Sequence, residues 1–116
     1  MFSLIIPVYN EEGLIDELVS RSTKALESFT PNYEILFIND GSTDSTLRKL
    51  IEARKQYPRI KIVDLSRNFG HQAAFTAGLE MALGNYVAMM DGDLQDPPEL
   101  LAEINAIHLR YTNPAP

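Results

Sequence analysis

Asp91 and Asp93 follow a short apolar run of the chain and are separated by Gly92 alone. In extended backbone, side chains two residues apart point the same way, so the two carboxylates can converge on one ion. Two acids near a turn can also cap a helix or face solvent, but their position directly after an apolar run favours a metal site. Carboxylate oxygens are hard ligands that suit Mg²⁺ or Mn²⁺, either of which can bridge to a diphosphate. Gly92 is expected to leave space for a ligand to approach the backbone.

Two other apolar runs also end in polar residues. Tyr9 and Glu11 follow the first run, and Asn39 and Asp40 follow the second. Asp40 is either an ordinary turn residue or a carboxylate that accepts hydrogen bonds from a nucleobase or ribose. Pro7, Tyr9 and Glu11 carry the same ambiguity, since Tyr9 can pack on a base or simply cover the edge of a sheet.

The charge balance bears on the class of ligand. Sixteen acidic and ten basic residues give a formal charge of -6, and the basic residues are scattered, so we do not expect nucleic acid as a partner. An acidic protein that binds an anionic ligand needs a cation between the two. There are no cysteines, which excludes disulfides and thiolate metal sites and suits the cytoplasm. No stretch approaches the roughly 20 apolar residues of a membrane span, so we expect the chain to be soluble.

The remaining candidates for chemistry are weaker. His71 is expected to cap or pack near the start of its helix, and His108 to lie on a helix face, because neither has Cys or His partners at ligand spacing. Arg67 can meet a phosphate or tie down its own loop. An EF-hand calcium loop is excluded, since the sixth residue from Asp91 is an aspartate and the twelfth is Ala102.

Apolar periodicity predicts the elements that must position these residues. Runs at residues 3–8, 33–38, 60–65 and 86–90 predict buried strands. Helical spacing predicts helices over residues 14–29, from about 47 to before Pro58, over 71–83 with Gly84 ending it, and from Pro97-Pro98 to Ile107. Alternating strands and helices predict an α/β fold, a parallel sheet with helices on both faces. Ligands of such sheets bind at the carboxyl ends of the strands, where the polar residues lie.

Four motifs in this order resemble family-two glycosyltransferases with the GT-A fold, particularly the dolichol-phosphate-mannose-synthase-like and bactoprenol glucosyltransferase branch. They are Ile6-Pro7-Val8-Tyr9-Asn10-Glu11, Asn39-Asp40-Gly41-Ser42, Ser66-Arg67-Asn68-Phe69-Gly70-His71, and Asp91-Gly92-Asp93-Leu94-Gln95-Asp96-Pro97-Pro98-Glu99. The resemblance covers residues 2 to about 107. It implies a Rossmann-like GT-A sheet that is cut after its Asp-x-Asp half.

The resemblance also implies a function and a set of sites. The implied reaction is inverting transfer of a hexose from a UDP- or GDP-linked sugar to a polyprenyl phosphate, at the cytoplasmic face of the membrane. Nucleotide-sugar binding falls to Pro7, Tyr9, Glu11, Asp40 and Asp91. Asp91, Asp93 and Gln95 hold Mg²⁺ or Mn²⁺ against the donor diphosphate, where the metal stabilises the leaving group.

The end of the chain departs from the family pattern. We expect residues 1–110 to be the nucleotide-sugar-binding part of a glycosyltransferase domain, and residues 111–116 to be a truncated or non-native tail. A missing acceptor-side half would leave this chain inactive alone and the catalytic base unassignable. Apolar surface exposed by such a cut predicts self-association into a homo-oligomer.

Three other function classes compete. A NAD-dependent dehydrogenase needs Gly-x-Gly-x-x-Gly after its first strand, where this chain has Tyr9-Asn10-Glu11-Glu12-Gly13. A phospho-receiver domain needs its acceptor aspartate after the third strand, where this chain has Ser66-Arg67. A nucleotide-binding module without turnover stays open as the alternative to an enzyme.

Overall fold

The computed structural model describes residues 1–94, 97–99 and 101, and it alternates strands with helices as predicted. The elements are β1 (Phe2–Val8), α1 (Ile15–Glu27), β2 (Tyr33–Asn39), α2 (Thr46–Gln56), β3 (Ile60–Asp64), α3 (His71–Met81) and β4 (Tyr86–Met89). The predicted helix after Pro97-Pro98 and the predicted tail at residues 111–116 lie outside the described residues, apart from the first residues of that helix.

The four strands form one parallel sheet in the order β3-β2-β1-β4. Phe2 pairs with Tyr33 on β2 and with Tyr86 on β4, so β1 runs through the middle. All seven residues of β1 and of β2 are buried. Burial on both faces explains why these two strands read as continuous apolar runs without alternation. The predicted fold class is confirmed.

Helices cover both faces of the sheet. On one face, α1 and α2 pack against inward-facing residues of β1 and β2 such as Leu4, Ile6 and Phe37. On the other face, α3 packs against Ile5, Leu36 and Ile38, the neighbours of those residues along the same strands. Successive strand residues point to opposite faces, so each central strand supplies both layers of the core.

One departure from the predicted bounds, at the end of α3, changes the role of a glycine. The helix ends at Met81, two residues before the predicted end, and Ala82 is already extended. Gly84 therefore does not terminate it. A Cβ at Gly84 would lie 2.5 Å from Ser3 Oγ and 2.7 Å from Met1 O, so glycine is required there for the link to β4 to pack against β1. The other predicted bounds differ by only one or two residues.

Helices α1, α2 and α3 are 13, 11 and 11 residues long. In the part of the chain that the structure describes, no helix has the length and apolar character to cross a membrane.

Candidate functional site

The site lies where the strand order reverses. Along the chain β2 and β3 are added on one side of β1, whereas β4 is added on the other side. The crevice at the carboxyl ends of β1 and β4, where this reversal occurs, is the usual ligand position in open parallel sheets. Tyr9 and Glu11 follow β1, and Asp91 and Asp93 follow β4.

A pocket of about 320 Å³ occupies this crevice. Six of the seven residues that the sequence predicts to bind nucleotide sugar or metal line it, and Gln95 lies outside the described residues. The lining residues are Pro7, Val8, Tyr9, Glu11, Asp40, Asn68, Gly70, His71, Asp91, Gly92 and Asp93. Folding thus brings the candidates from β1, β2 and β4 to one place.

The loop after β1 is hydrogen-bonded to the segment after β2. Asn10 adopts a positive φ of 51°, and its side-chain Oδ1 accepts a hydrogen bond of 2.8 Å from the backbone N–H of Thr43. Its own N–H donates to Ser42 Oγ at 3.0 Å, and that of Glu11 donates to Thr46 Oγ1 at 2.9 Å. These bonds hold the backbone that carries Tyr9 and Glu11, and Tyr9 keeps 44% of its surface exposed.

Asp40 is buried, and its carboxylate already has backbone partners. Oδ1 accepts a hydrogen bond of 2.8 Å from the N–H of Phe69, and Oδ2 accepts one of 3.1 Å from that of Gly70. Asp40 therefore shapes the loop between β3 and α3. Each oxygen has a second lone pair, so nucleotide recognition by Asp40 stays a prediction.

Gly92 holds the two acidic residues close to β1. A Cβ at this position would lie 2.7 Å from Pro7 O and 2.7 Å from Val8 Cγ1. The backbone that lies close to Gly92 is that of β1. Gly92 also lines the pocket, so the approach of a ligand to its backbone stays a prediction. The contact with β1 sets how far Asp91 and Asp93 stand from the loop after β1.

Negative charge is concentrated in the pocket, where Glu11, Asp40, Asp91 and Asp93 are all present. Burial raises the pKa of Glu11 above its usual value, and the nearby carboxylates of Asp93 and Asp44 raise it further. Such crowding favours a bound cation. The hard oxygen donors of Asp91 and Asp93 fit a divalent metal.

Those two carboxylates would not complete a coordination shell. Within the described residues, no group of three acidic, His or Cys side chains is arranged to hold a metal ion. Further oxygens must therefore come from a ligand, from water, or from residues such as Gln95.

His71, which the sequence predicts to cap or pack near the start of its helix, also lines the pocket. Its Nε2 lies 2.7 Å from Asp91 Oδ1, and its ring meets the edge of Phe75 at a centroid distance of 4.6 Å. The sequence feature that could have assigned His71 to the pocket is its position directly after the Gly70 loop, at the carboxyl edge of the sheet. Arg67, by contrast, stacks over Phe69 at 4.7 Å and lines a neighbouring hollow instead of this pocket.

Comparison with known proteins gives consistent relatives. The model of the family "Glycosyl transferase family 2" matches residues 3–109. An uncharacterized glycosyltransferase of Bacillus subtilis is 50% identical over 103 residues, which are 89% of this chain and 32% of that protein. The dodecaprenyl-phosphate galacturonate synthase of Rhizobium johnstonii is 44% identical over 101 residues, 84% of this chain and 29% of that protein. The chain therefore spans about a third of the length of the curated relatives that it matches.

Solved structures share the fold. TarS of S. aureus in complex with UDP-GlcNAc superposes with a TM-score of 0.72 at 32% identity, over 90% of this chain and 30% of that one. A mannosyltransferase of Pyrobaculum calidifontis, solved with GDP-Man and Mn²⁺, superposes with a TM-score of 0.72 at 24% identity, over 79% of this chain and 27% of that one. The second likeness is one of fold alone.

Proposed function

The chain belongs to glycosyl transferase family 2, with the GT-A fold, and from that premise we propose that it supplies the donor site for transfer of a hexosyl group from a nucleoside-diphosphate sugar to a polyprenyl phosphate. The observation that carries the proposal is the pocket at the sheet's switch point, where Asp91 and Asp93 face the loop bearing Tyr9 and Glu11. The matched relatives are glycosyltransferases, which favours an enzyme over a binding module without turnover.

Each side of the pocket has its own part in binding the donor. Pro7, Tyr9 and Asp40 are proposed to hold the nucleoside, because Tyr9 offers an exposed ring for a base and Asp40 offers buried acceptor oxygens. Glu11 is proposed to complete the ribose side. Asp91 and Asp93, with Gln95, would hold a Mg²⁺ or Mn²⁺ ion next to the diphosphate, and that ion would supply charge stabilisation to the leaving group.

The proposed reaction is a displacement at the anomeric carbon. A phosphate oxygen of the acceptor forms the new bond to this carbon while the bond to the donor diphosphate breaks, and the nucleoside diphosphate leaves with the bonding electrons. Attack from the opposite side inverts the configuration. The acceptor phosphate is already anionic, so the step does not depend on a strong general base. The support for a lipid phosphate acceptor is the 44% identity to the dodecaprenyl-phosphate galacturonate synthase.

The proposal places the protein at the cytoplasmic face of a membrane, where a lipid acceptor and a soluble nucleotide sugar can meet. Because the chain spans about a third of its curated relatives, donor binding is the part of the reaction that we assign to these residues.

Calorimetric titration with UDP and with GDP, each with and without Mn²⁺, tests the donor site. We expect one of the two nucleotides to bind in a Mn²⁺-dependent way, and the Mn²⁺ dependence to disappear in the double variant Asp91→Ala, Asp93→Ala. The matched control is Glu52→Ala with Glu80→Ala, which removes two exposed carboxylates outside the pocket. Failure of a folded wild-type chain to bind either nucleotide, or equal binding by the Asp91, Asp93 variant, would contradict the proposal.

A further inference from the structure

His71 and Asp91 belong to different elements but meet in the pocket. His71 is the first residue of α3, and Asp91 lies just beyond β4. The Nε2 atom of His71 lies 2.7 Å from the carboxylate oxygen Oδ1 of Asp91. The two residues are 20 positions apart, so the contact depends on the packing of α3 against β1, the strand that pairs with β4.

We infer that His71 is a positioning residue for Asp91. His71 holds the Oδ1 atom of Asp91 and leaves its Oδ2 atom as the oxygen that ligates a divalent cation. The inference rests on the proposed function and adds a residue to its donor site. Its physical basis is that Asp91 has a 41% exposed side chain. An exposed carboxylate can rotate, so it needs a contact from another residue to favour one orientation.

The ring of His71 is itself held in place. It meets Phe75, one helical turn further along α3, edge-on at 4.6 Å with an angle of 90° between the ring planes. The backbone before it is fixed by the two hydrogen bonds from Phe69 and Gly70 to Asp40. Asp40 at the end of β2 thus orients the loop that presents His71 to Asp91 at the end of β4.

The simpler roles for His71 do not account for these contacts. The residue at the N-terminal cap of α3 is Gly70, with a φ of 101°, and no side chain caps the helix. The side chain of His71 is 60% exposed, so it is not part of the core. Among the described residues lining the pocket, His71 is the single basic side chain beside four acidic ones, and it contacts the acid that the sequence places in the metal site.

Titration of the full chain with Mn²⁺ alone tests the inference. Binding is followed by the paramagnetic broadening of backbone amide signals, which detects weak as well as tight association. We expect His71→Ala to weaken Mn²⁺ affinity about 10- to 100-fold, the usual effect of removing a partner of a metal ligand. His71→Gln should recover most of the affinity, since its amide N–H can reach the same oxygen.

The matched control is Gln72→Ala, the next residue on the same exposed turn, which should bind Mn²⁺ like the wild type. Thermal unfolding should be nearly unchanged in His71→Ala, because exposed side-chain pairs contribute little stability. Equal Mn²⁺ affinity in wild type and His71→Ala would overturn the inference. So would a His71→Gln variant as weak as His71→Ala, or a folded wild-type chain to which Mn²⁺ does not bind.

Parallel titrations with UDP and GDP separate this inference from the proposed function. Mn²⁺ binding that depends on His71, in a chain that binds neither nucleotide, would support the positioning role and contradict the nucleotide-sugar site. Nucleotide binding with a Mn²⁺ affinity that does not depend on His71 would support the nucleotide-sugar site and contradict the positioning role.

Discussion

At the scale of single residues, Gly92 makes a close contact with β1 that the sequence does not indicate. It lies between two proposed metal ligands, and an added Cβ would meet the carbonyl oxygen of Pro7 and the side chain of Val8, each at 2.7 Å. A carbonyl oxygen of a central strand cannot move aside easily. The smallest side chain at position 92 would therefore push the loop that carries Asp91 and Asp93 away from the loop after β1.

Gly92→Ala should therefore weaken Mn²⁺-dependent nucleotide binding by about tenfold or more, since small displacements of positioning groups are costly. Overpacking should also lower the free energy of unfolding by roughly 1–3 kcal/mol. Calorimetry and thermal unfolding measure the two effects. Gly13→Ala is the matched control, because a Cβ at Gly13 has no neighbour within 4 Å. Wild-type binding by Gly92→Ala would show that this close contact does not position the site.

At the scale of elements, one buried carboxylate ties the strands together at the edge opposite the pocket. Glu34 lies at the start of β2 and is 3% exposed. Its Oε2 accepts hydrogen bonds from Ser3 Oγ on β1, at 2.6 Å, and from the backbone N–H of Leu83 before β4, at 2.7 Å. Its Oε1 lies 2.6 Å from Lys61 Nζ on β3. The side chain of Glu34 thus links β2 to β1, to β3 and to the segment that leads into β4.

Glu34→Gln should lower the free energy of unfolding at neutral pH by about 1–3 kcal/mol, because a buried acceptor of two hydrogen bonds loses its charge and part of its capacity. Chemical denaturation measures the change. Glu52→Gln is the control: it removes an exposed carboxylate 3.5 Å from Lys55 and should have little effect.

The difference in free energy of unfolding between wild type and Glu34→Gln should depend on pH. Burial raises the pKa of Glu34, but the contacts with Lys61, Ser3 and Leu83 outweigh burial and leave the pKa below its usual value. A carboxyl whose pKa is lowered by folding stabilises the protein above its unfolded pKa of about 4.3, and this contribution is lost as pH falls through the folded value. The stability difference between wild type and Glu34→Gln should be largest above about pH 5 and shrink below about pH 4. A difference that grows on acidification would contradict the ionised state of Glu34.

At the scale of the whole molecule, apolar surface is exposed beside one edge of the sheet. Met81 and Leu83, around the end of α3, are 56% and 69% exposed, and Met89 on the edge strand β4 is 51% exposed. α3 packs mainly against β1 and β2, which leaves this side of β4 less covered. Exposed apolar side chains near a sheet edge favour association.

We therefore expect the 13.0 kDa chain to self-associate, with a light-scattering mass that rises with protein concentration. Leu83→Lys with Met89→Lys should lower that mass, because two charges would be buried on association. Ile51→Lys, at a 45% exposed position on α2, is the control and should leave the mass unchanged. A wild-type chain that stays monomeric over the same concentrations would contradict this expectation.

Much of the fold could be predicted because burial restricts which residue types can occupy neighbouring positions along the sequence. A strand buried on both faces, such as β1, must be apolar at every position, and a helix with one buried face must repeat its apolar residues at helical spacing. Parallel connection then places every strand end at one edge. That is why Tyr9, Glu11, Asp40, Asp91 and Asp93 could be expected at one edge before any contact was known, whereas their binding roles and that of Pro7 were implied by the family resemblance.

The contacts inside the site were decided by the tertiary structure alone. Neither the pairing of His71 with Asp91, nor the two backbone partners of Asp40, nor the approach of β1 to Gly92 has a signal in local periodicity. Each depends on β4 lying beside β1 and on the angle at which loops from separate strands meet. Hydrophobic patterning specifies which face of an element is buried, whereas strand order and loop packing specify which distant residue a side chain contacts.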